Sequence, residues 1–250
     1  MGKNKLQRFA DMNTFTNVFQ PTHNEVWEKN YALKGKWKQE VFKNNNPIVL
    51  EVGCGKGEYT IGLARKSPDK NFIGIDIKGA RMWIGAKTSL EEDLNNVAFI
   101  RTNAELLESI FEQGEIAEIW VTFPDPQMKK VRKRLTGTRF LELYSNLLSM
   151  NGIIHLKTDS KFLYEYTSYV IQENNLNVDI NTNDLYNSGI ADDILSIRTF
   201  YEQQFLDRGI PIKYLKFNLA DKRHFIEPDV EIELDSYRSF GREKRTEKND

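Results

Sequence analysis

Apolar positions in this chain fall into short unbroken runs, and longer stretches between the runs repeat them every three or four residues. Short runs suit strands covered on both faces, and the longer spacing suits amphipathic helices. Ile48 to Val52 (IVLEV) predicts a first buried strand, and a glycine-rich turn through Gly57 leads from it into a helix over Glu58–Lys66. Ser67-Pro68-Asp69 stops that helix. The pattern then predicts a strand at Asn71–Ile77, a helix at Gly79–Asp93, a strand at Val97–Thr102 and a helix at Ala104–Glu112. A fourth strand, Ala117–Phe123, ends in Pro124-Asp125-Pro126. A helix over Gly137–Met150, a strand at Gly152–Lys157 and a helix at Lys161–Glu173 follow. Alternation of this kind predicts an α/β fold, a mostly parallel sheet with helices on both faces. Past Asn174 the pattern loosens. Asn177–Asn181 and Ile212–Leu219 read as strands, Asp184–Gly189 as a loop and Ala191–Phe205 as a helix.

Residues 1–46 lack this alternation and form a basic, aromatic extension. Trp27, Tyr31 and Trp37 interleave there with Lys29, Lys34, Lys36 and Lys38. The expectation is a solvated extension whose rings pack on the main domain; a nucleic-acid-binding arm is the competing reading. Residues 47–235 form the main domain, and the charged 236–250 is an expected disordered tail. A net charge of -1 gives no overall signature of a nucleic-acid binder, so charge must be read locally. The single cysteine, Cys54, excludes an intrachain disulfide and suits a reducing, cytoplasmic setting. No signal-like or membrane-spanning run is present, and His23, His155 and His224 are too scattered to hold a metal with Cys54. His155, inside a strand, reads as a packed core histidine.

The candidate chemistry gathers at strand ends, where open α/β sheets bind ligands. Gly53, Gly55 and Gly57 permit a sharp turn and a close backbone approach. A dinucleotide fingerprint would place glycine where Glu58 stands, and no Lys-Ser/Thr follows the glycines as in a phosphate loop. Glu51 ends the first strand. Asp76 ends the second, about 20 residues beyond the glycines, where a carboxylate meets ribose hydroxyls. Asn103 follows the third strand, with Ala104 beside it, and Asp125 follows the fourth. A ligand with an adenosine and a charged amino-acid end, S-adenosylmethionine, fits this set best. Prolines on both sides restrict the backbone at Asp125. Lys129, Lys130, Arg132, Lys133 and Arg134 then crowd one short segment, which reads as a phosphate-binding edge.

The segments Glu51-Val-Gly-Cys-Gly-Lys-Gly57, Gly74-Ile-Asp-Ile77, Phe123-Pro-Asp-Pro126, Lys157-Thr-Asp159 and Thr199-Phe-Tyr-Glu202 together resemble the bacterial tRNA (guanine-N7)-methyltransferase family. The resemblance runs from about Ile48 to Leu219. It implies a Rossmann-like class I methyltransferase fold with a seven-stranded sheet, and methyl transfer from S-adenosylmethionine to N7 of a guanosine in the tRNA variable loop. It implies cofactor contacts at Glu51, Gly53, Gly55, Asp76, Asn103, Ala104 and Asp125. Asp125 resembles the family's catalytic acid. Lys129, Asp159, Thr199, Tyr201 and Glu202 resemble its substrate-binding positions, with Lys130, Arg132, Lys133 and Arg134 gripping tRNA phosphates. The chain departs from the family at Gln127, where Trp is usual, and in a shorter basic segment with Val131-Arg132 where Arg-His is common. Two other readings stay open: a methyltransferase acting on an exocyclic amine, and a non-catalytic tRNA-binding protein of the same fold. A nicotinamide dehydrogenase is disfavoured by Glu58.

Overall fold

A computed structural model describes residues 3–238. Its centre is one eight-stranded sheet: β1 (Val18–Phe19), β2 (Ile48–Val52), β3 (Asn71–Asp76), β4 (Val97–Arg101), β5 (Ile116–Thr122), β6 (Leu148–Thr158), β7 (Asn177–Thr182) and β8 (Lys213–Asn218). The spatial order is β1-β4-β3-β2-β5-β6-β8-β7. Strands β1 to β6 pair in parallel, and β8 runs antiparallel to both β6 and β7. Strand β2 lies near the middle and reverses the winding, so its carboxyl end opens a crevice between β3 and β5.

The alternation of side chains divides the core. Ile48, Leu50 and Val52 join an apolar cluster that also holds Ile73, Ile75 and Val121, while Val49 joins a second with Phe72 and Phe99. Successive residues of a strand point to opposite faces, so these are the two faces of the sheet. Helices α3 (Glu58–Lys66), α4 (Gly79–Glu91), α6 (Thr138–Leu147) and α7 (Lys161–Glu173) cover them.

The eighth strand comes from the N-terminal extension. Helix α1 (Lys3–Met12) lies on α4, with the Arg8 Nη1 donating to the Ala80 carbonyl at 3.0 Å and the Trp83 Nε1 donating to Asp11 at 2.9 Å. Val18 and Phe19 then pair with Phe99 and Ile100 of β4. This covers an edge that would otherwise offer unpaired backbone groups to other chains. After the one-turn α2 (His23–Val26), Trp37 is fully buried in a π-helix (Trp37–Phe42) and donates to the Ile110 carbonyl at 3.0 Å. Trp27 stays exposed. The extension is thus built into the domain, and seven strands become eight.

Two predicted helices differ from what forms. Ala104–Glu112 divides into a 3₁₀ turn (Ala104–Leu106) and the short α5 (Leu107–Ile110). Only Phe200–Leu206 of the stretch over Ala191–Phe205 becomes a helix, α8. The carbonyls of Leu195 and Ile197 accept instead from the buried Lys157 ammonium, at 2.8 and 2.9 Å. Those acceptors are thereby diverted from a helical ladder. After β8 the chain has no regular structure until a 3₁₀ turn at Ser236–Arg238. The expected tail therefore begins ordered, and 239–250 lies outside the described residues. No helix among the described residues is long and apolar enough to cross a membrane.

Candidate active site

A cleft of about 560 Å³ opens at the carboxyl ends of β2 to β5. Its floor is the glycine turn. Gly53, Gly55 and Gly57 all have positive φ (83°, 58° and 75°), which favours glycine. A Cβ on Gly57 would stand 2.7 Å from the Phe99 ring, so close packing of α3 on the sheet also demands glycine there. A Cβ on Gly55 would meet nothing within 4 Å, so the turn presents bare backbone to the cleft. The Gly55 N–H donates to Asp76 at 2.9 Å, and the Lys78 N–H donates to its other oxygen at 2.7 Å. One carboxylate at the end of β3 thus pins the turn after β2.

Glu51 is buried at the end of β2. The hydroxyls of Thr60 and Thr122 donate to its two oxygens, the latter at 2.5 Å. Burial pushes its carboxyl up to about 7, against the two hydroxyl bonds and with some help from the negative charge of Asp76. Asn103 caps the 3₁₀ turn after β4, its side chain accepting from the Glu105 N–H at 3.3 Å. Glu51, Asp76, Asn103 and Ala104 all line the cleft. Open glycine backbone, two carboxylates and an amide on three adjacent strand ends fit a cationic adenosine-bearing ligand.

The opposite wall begins at β5. Phe123 and Gln127 both take left-handed backbone (φ 47° and 49°) around Pro124-Asp125-Pro126. Non-glycine residues so held cost about 1–3 kcal/mol each and persist where the surroundings enforce them. Here the Phe123 N–H donates to the Lys157 carbonyl at 2.8 Å, and both prolines are buried. The result thrusts Asp125 into the cleft as an exposed carboxylate, its Oδ1 accepting from the Gln127 N–H at 3.1 Å.

The expected substrate positions divide. Thr199 and Tyr201 reach the cleft. Glu202 does not: it is fully buried, accepts from the Tyr186 hydroxyl at 2.5 Å, and pairs with the buried Lys157 at 2.9 Å. It also closes a capping box with Thr199 at the start of α8. Glu202 therefore holds the Thr199–Tyr201 segment in place and does not face a ligand. Burial pushes the Lys157 ammonium below the usual lysine range, against the pull of Glu202. Asp159 is likewise buried, and its Oδ2 accepts from the Tyr237 hydroxyl at 2.6 Å.

The basic segment divides too. Lys129, Lys130 and Arg132 are exposed, and Lys133 lines the cleft while pairing with Glu105 at 3.1 Å. Arg134 departs from the expected phosphate contact. It is buried, donates to the carbonyls of Gln127 (3.3 Å) and Met128 (2.9 Å), and lies over the rings of Phe162 and Tyr166 at 4.8 and 4.2 Å. It fastens the Asp125 turn to α7. His155 is a buried core histidine, stacked on Trp120 at 3.8 Å. Among the described residues no group of three or more His, Cys, Asp or Glu could hold a metal.

Some cleft residues were missed in the sequence. Lys56 lies 3.9 Å from the centroid of the half-exposed Phe200 ring, and Arg81 lies 5.8 Å from that of Tyr201. Phe205 stacks on Phe123 at 6.3 Å. Phe200 adjoins Tyr201, and Lys56 lies inside the glycine turn between Gly55 and Gly57, but nothing in the local sequence distinguishes Arg81 or Phe205 from ordinary surface or core residues.

Comparison with known proteins agrees with this geometry. A family model described as "Putative methyltransferase" matches residues 45–215. A tRNA (guanine-N(7)-)-methyltransferase of Bacteroides fragilis is 59% identical, covering 98% of both chains. One of Bacteroides thetaiotaomicron is 58% identical with the same coverage. Among solved structures, an antibiotic-related methyltransferase superposes with a TM-score of 0.55 at 17% identity, covering 77% of this chain and 96% of the other. That likeness concerns the fold alone. With an alternating α/β sheet, a glycine-floored cleft, an exposed Asp125 turn and near-complete alignment to such relatives, the chain belongs to the tRNA (guanine-N7)-methyltransferase family.

Proposed function

We propose that this protein transfers a methyl group from S-adenosylmethionine to N7 of a guanosine in the tRNA variable loop. The observation that carries this reading is the Asp125 turn: a strained, proline-flanked carboxylate held in the cleft beside the glycine floor. The activity named for the Bacteroides relatives supports the substrate. Glu51, the Gly53–Gly55 backbone, Asp76 and Asn103 would hold the methyl donor. When bound, it supplies an electrophilic methyl group and a positive charge.

Guanine N7 is a bare acceptor with no proton, so no residue of this chain has to act as a base. The methylated ring is cationic. Asp125 accepts hydrogen bonds from the guanine donor edge and favours the positive charge that develops on the ring. It also fixes the base so that N7 faces the donor, which removes much of the entropic barrier. The base must leave its stack to reach the cleft. Tyr201 and the half-exposed Phe200 offer ring faces to an unstacked base, and Lys129, Lys130 and Arg132 offer charge to the flanking phosphates.

The test is incubation with unmodified tRNA and a labelled methyl donor, followed by mapping of the modified base. N7-methylguanine is expected, and Asp125→Ala should lower kcat/KM by about 10² or more. Near-normal turnover in that variant would remove Asp125 from the reaction.

A further inference from the structure

The segment after β8 runs without regular structure along the full length of α7. At the carboxyl end of that helix, the Ile226 N–H donates to Asn174 at 2.7 Å, and the Asn174 amide donates back to the Ile226 carbonyl at 2.8 Å. In mid-course Glu227 accepts from the hydroxyls of Tyr166 (2.7 Å) and Thr138 (2.8 Å). At the amino end, the buried Asp235 accepts from the Ser160 hydroxyl and from the Phe162 N–H at 3.1 Å. Its own N–H lies 3.2 Å from the Met128 sulfur, in the segment that follows Asp125. These anchors deliver Tyr237 to the strand end that carries Asp159.

Asp125 and Asp159 follow neighbouring parallel strands, with Thr122 paired to Lys157. The two acids thus belong to one rim. Asp159 is fully buried, so its carboxylate orientation is set by donors, and the Tyr237 hydroxyl at 2.6 Å is one of them. The Tyr237 ring meets Phe205 edge-on at 6.2 Å, and Phe205 stacks on Phe123, the residue that starts the Asp125 turn. The ring and its hydroxyl therefore touch the supports of both acids.

We propose that the C-terminal strap is a working part of the methyl-transfer site, and that Tyr237 is a positioning residue that, through the buried Asp159, fixes the rim of β5 and β6 from which Asp125 projects. This rests on the reading of the cleft as a guanosine N7-methylating site. Nothing in the motifs at Lys157–Asp159 calls for a tyrosine nearly eighty positions later.

A double-mutant cycle between Tyr237→Phe and Asp159→Asn tests it on the full-length chain. Phenylalanine keeps the ring on Phe205 and removes only the hydroxyl. If Tyr237 acts through Asp159, Tyr237→Phe lowers kcat/KM for tRNA by about tenfold, with unchanged calorimetric affinity for S-adenosylmethionine and unchanged thermal unfolding. In the Asp159→Asn background the same substitution should then cost less than about twofold. An equal loss in both backgrounds would mean an independent structural role and would overturn the proposal. So would a Tyr237→Phe rate within twofold of wild type, or a fall in KM for tRNA, which would make the strap a plug displaced by substrate. Mapping the wild-type product first separates this from the parent reading. A methyl group at another position would overturn N7 transfer, and the cycle, run on whichever nucleotide is modified, would still decide the coupling.

Discussion

The two walls of the cleft are made in different ways. The wall at β2, β3 and β4 draws its polar groups from strand ends and the turns directly after them. Glu51, the glycines, Asp76 and Asn103 lie within about one βαβ unit and its next strand, and short-range bonds such as Gly55 to Asp76 finish the geometry. The wall at β5 and β6 presents few groups but hides many behind them. Asp125 projects, while Lys157, Glu202, Asp159 and Arg134 are buried and tied to segments far away in sequence. A wall for an invariant cofactor can be local. A wall for a large, flexible RNA substrate here needs a rigid frame, and that frame is assembled from segments spread between Arg134 and Tyr237.

Because of that difference, the largest effect of substitution should come from the hidden frame. Lys157→Ala leaves Glu202 buried without its cation and should lower stability by about 3–5 kcal/mol. For a chain of this size that is a fall of about 10 °C in the melting temperature, read by calorimetry. Replacing both partners, as Lys157→Met with Glu202→Leu, should recover most of the stability. It should still lose tRNA activity, because the capping box that sets Thr199 and Tyr201 is gone. Recovery of both stability and activity would show that the frame does not shape the substrate wall.

Glu51 gives the next effect, on the cofactor wall. Its carboxyl stands at about 7 in the fold against an ordinary 4.5, so the fold prefers the neutral form. Its contribution to stability is complete below about 4.5 and is lost as pH rises through about 7, a change on the order of 3 kcal/mol. A cationic ligand favours the ionised form. Affinity for S-adenosylmethionine, titrated by calorimetry, should therefore rise as pH climbs through about 7, with proton release on binding. Glu51→Gln should flatten that dependence relative to wild type. An unchanged pH profile in the variant would remove Glu51 from contact with the ligand's charge.

The smallest effect belongs to the exposed cations. Removing Lys129, Lys130 and Arg132 should reduce the slope of log tRNA affinity against log salt by about 0.7–0.9 for each phosphate left without its cation. Arg134→Ala should leave that slope unchanged and lower stability instead, since its guanidinium holds the Asp125 turn to α7. A drop in slope for Arg134→Ala equal to that for Lys129→Ala would reverse the division drawn between them.

The sequence carried the ordering of strands and helices because a sheet covered on both faces needs largely apolar runs such as Ile48–Leu50 and Phe72–Ile75, and these are visible without a partner. It carried the glycine floor because positive φ and the contact of Gly57 with Phe99 leave little choice of residue. It carried the position of Asp125 because flanking prolines act locally. It did not carry the eighth strand: Val18 and Phe19 are too short to show a period, and only the open edge of β4 makes them a strand. The Ala191–Phe205 pattern was helical in spacing, yet a buried ammonium claimed two of its carbonyls.

By itself, then, the sequence determined most of the elements, the glycine turn and the identity of the groups at each strand end, all of which follow from forces acting within a few residues. Tertiary structure alone decided which of those groups face the cleft. Arg134 and Lys133 are neighbours in a basic run, but one packs against two rings and the other meets Glu105 at the rim. Asp125 and Asp159 end adjacent strands, but only the second is roofed by Tyr237. Burial, and the donors that come with it, depend on chain segments brought together by the fold, and no local pattern records them.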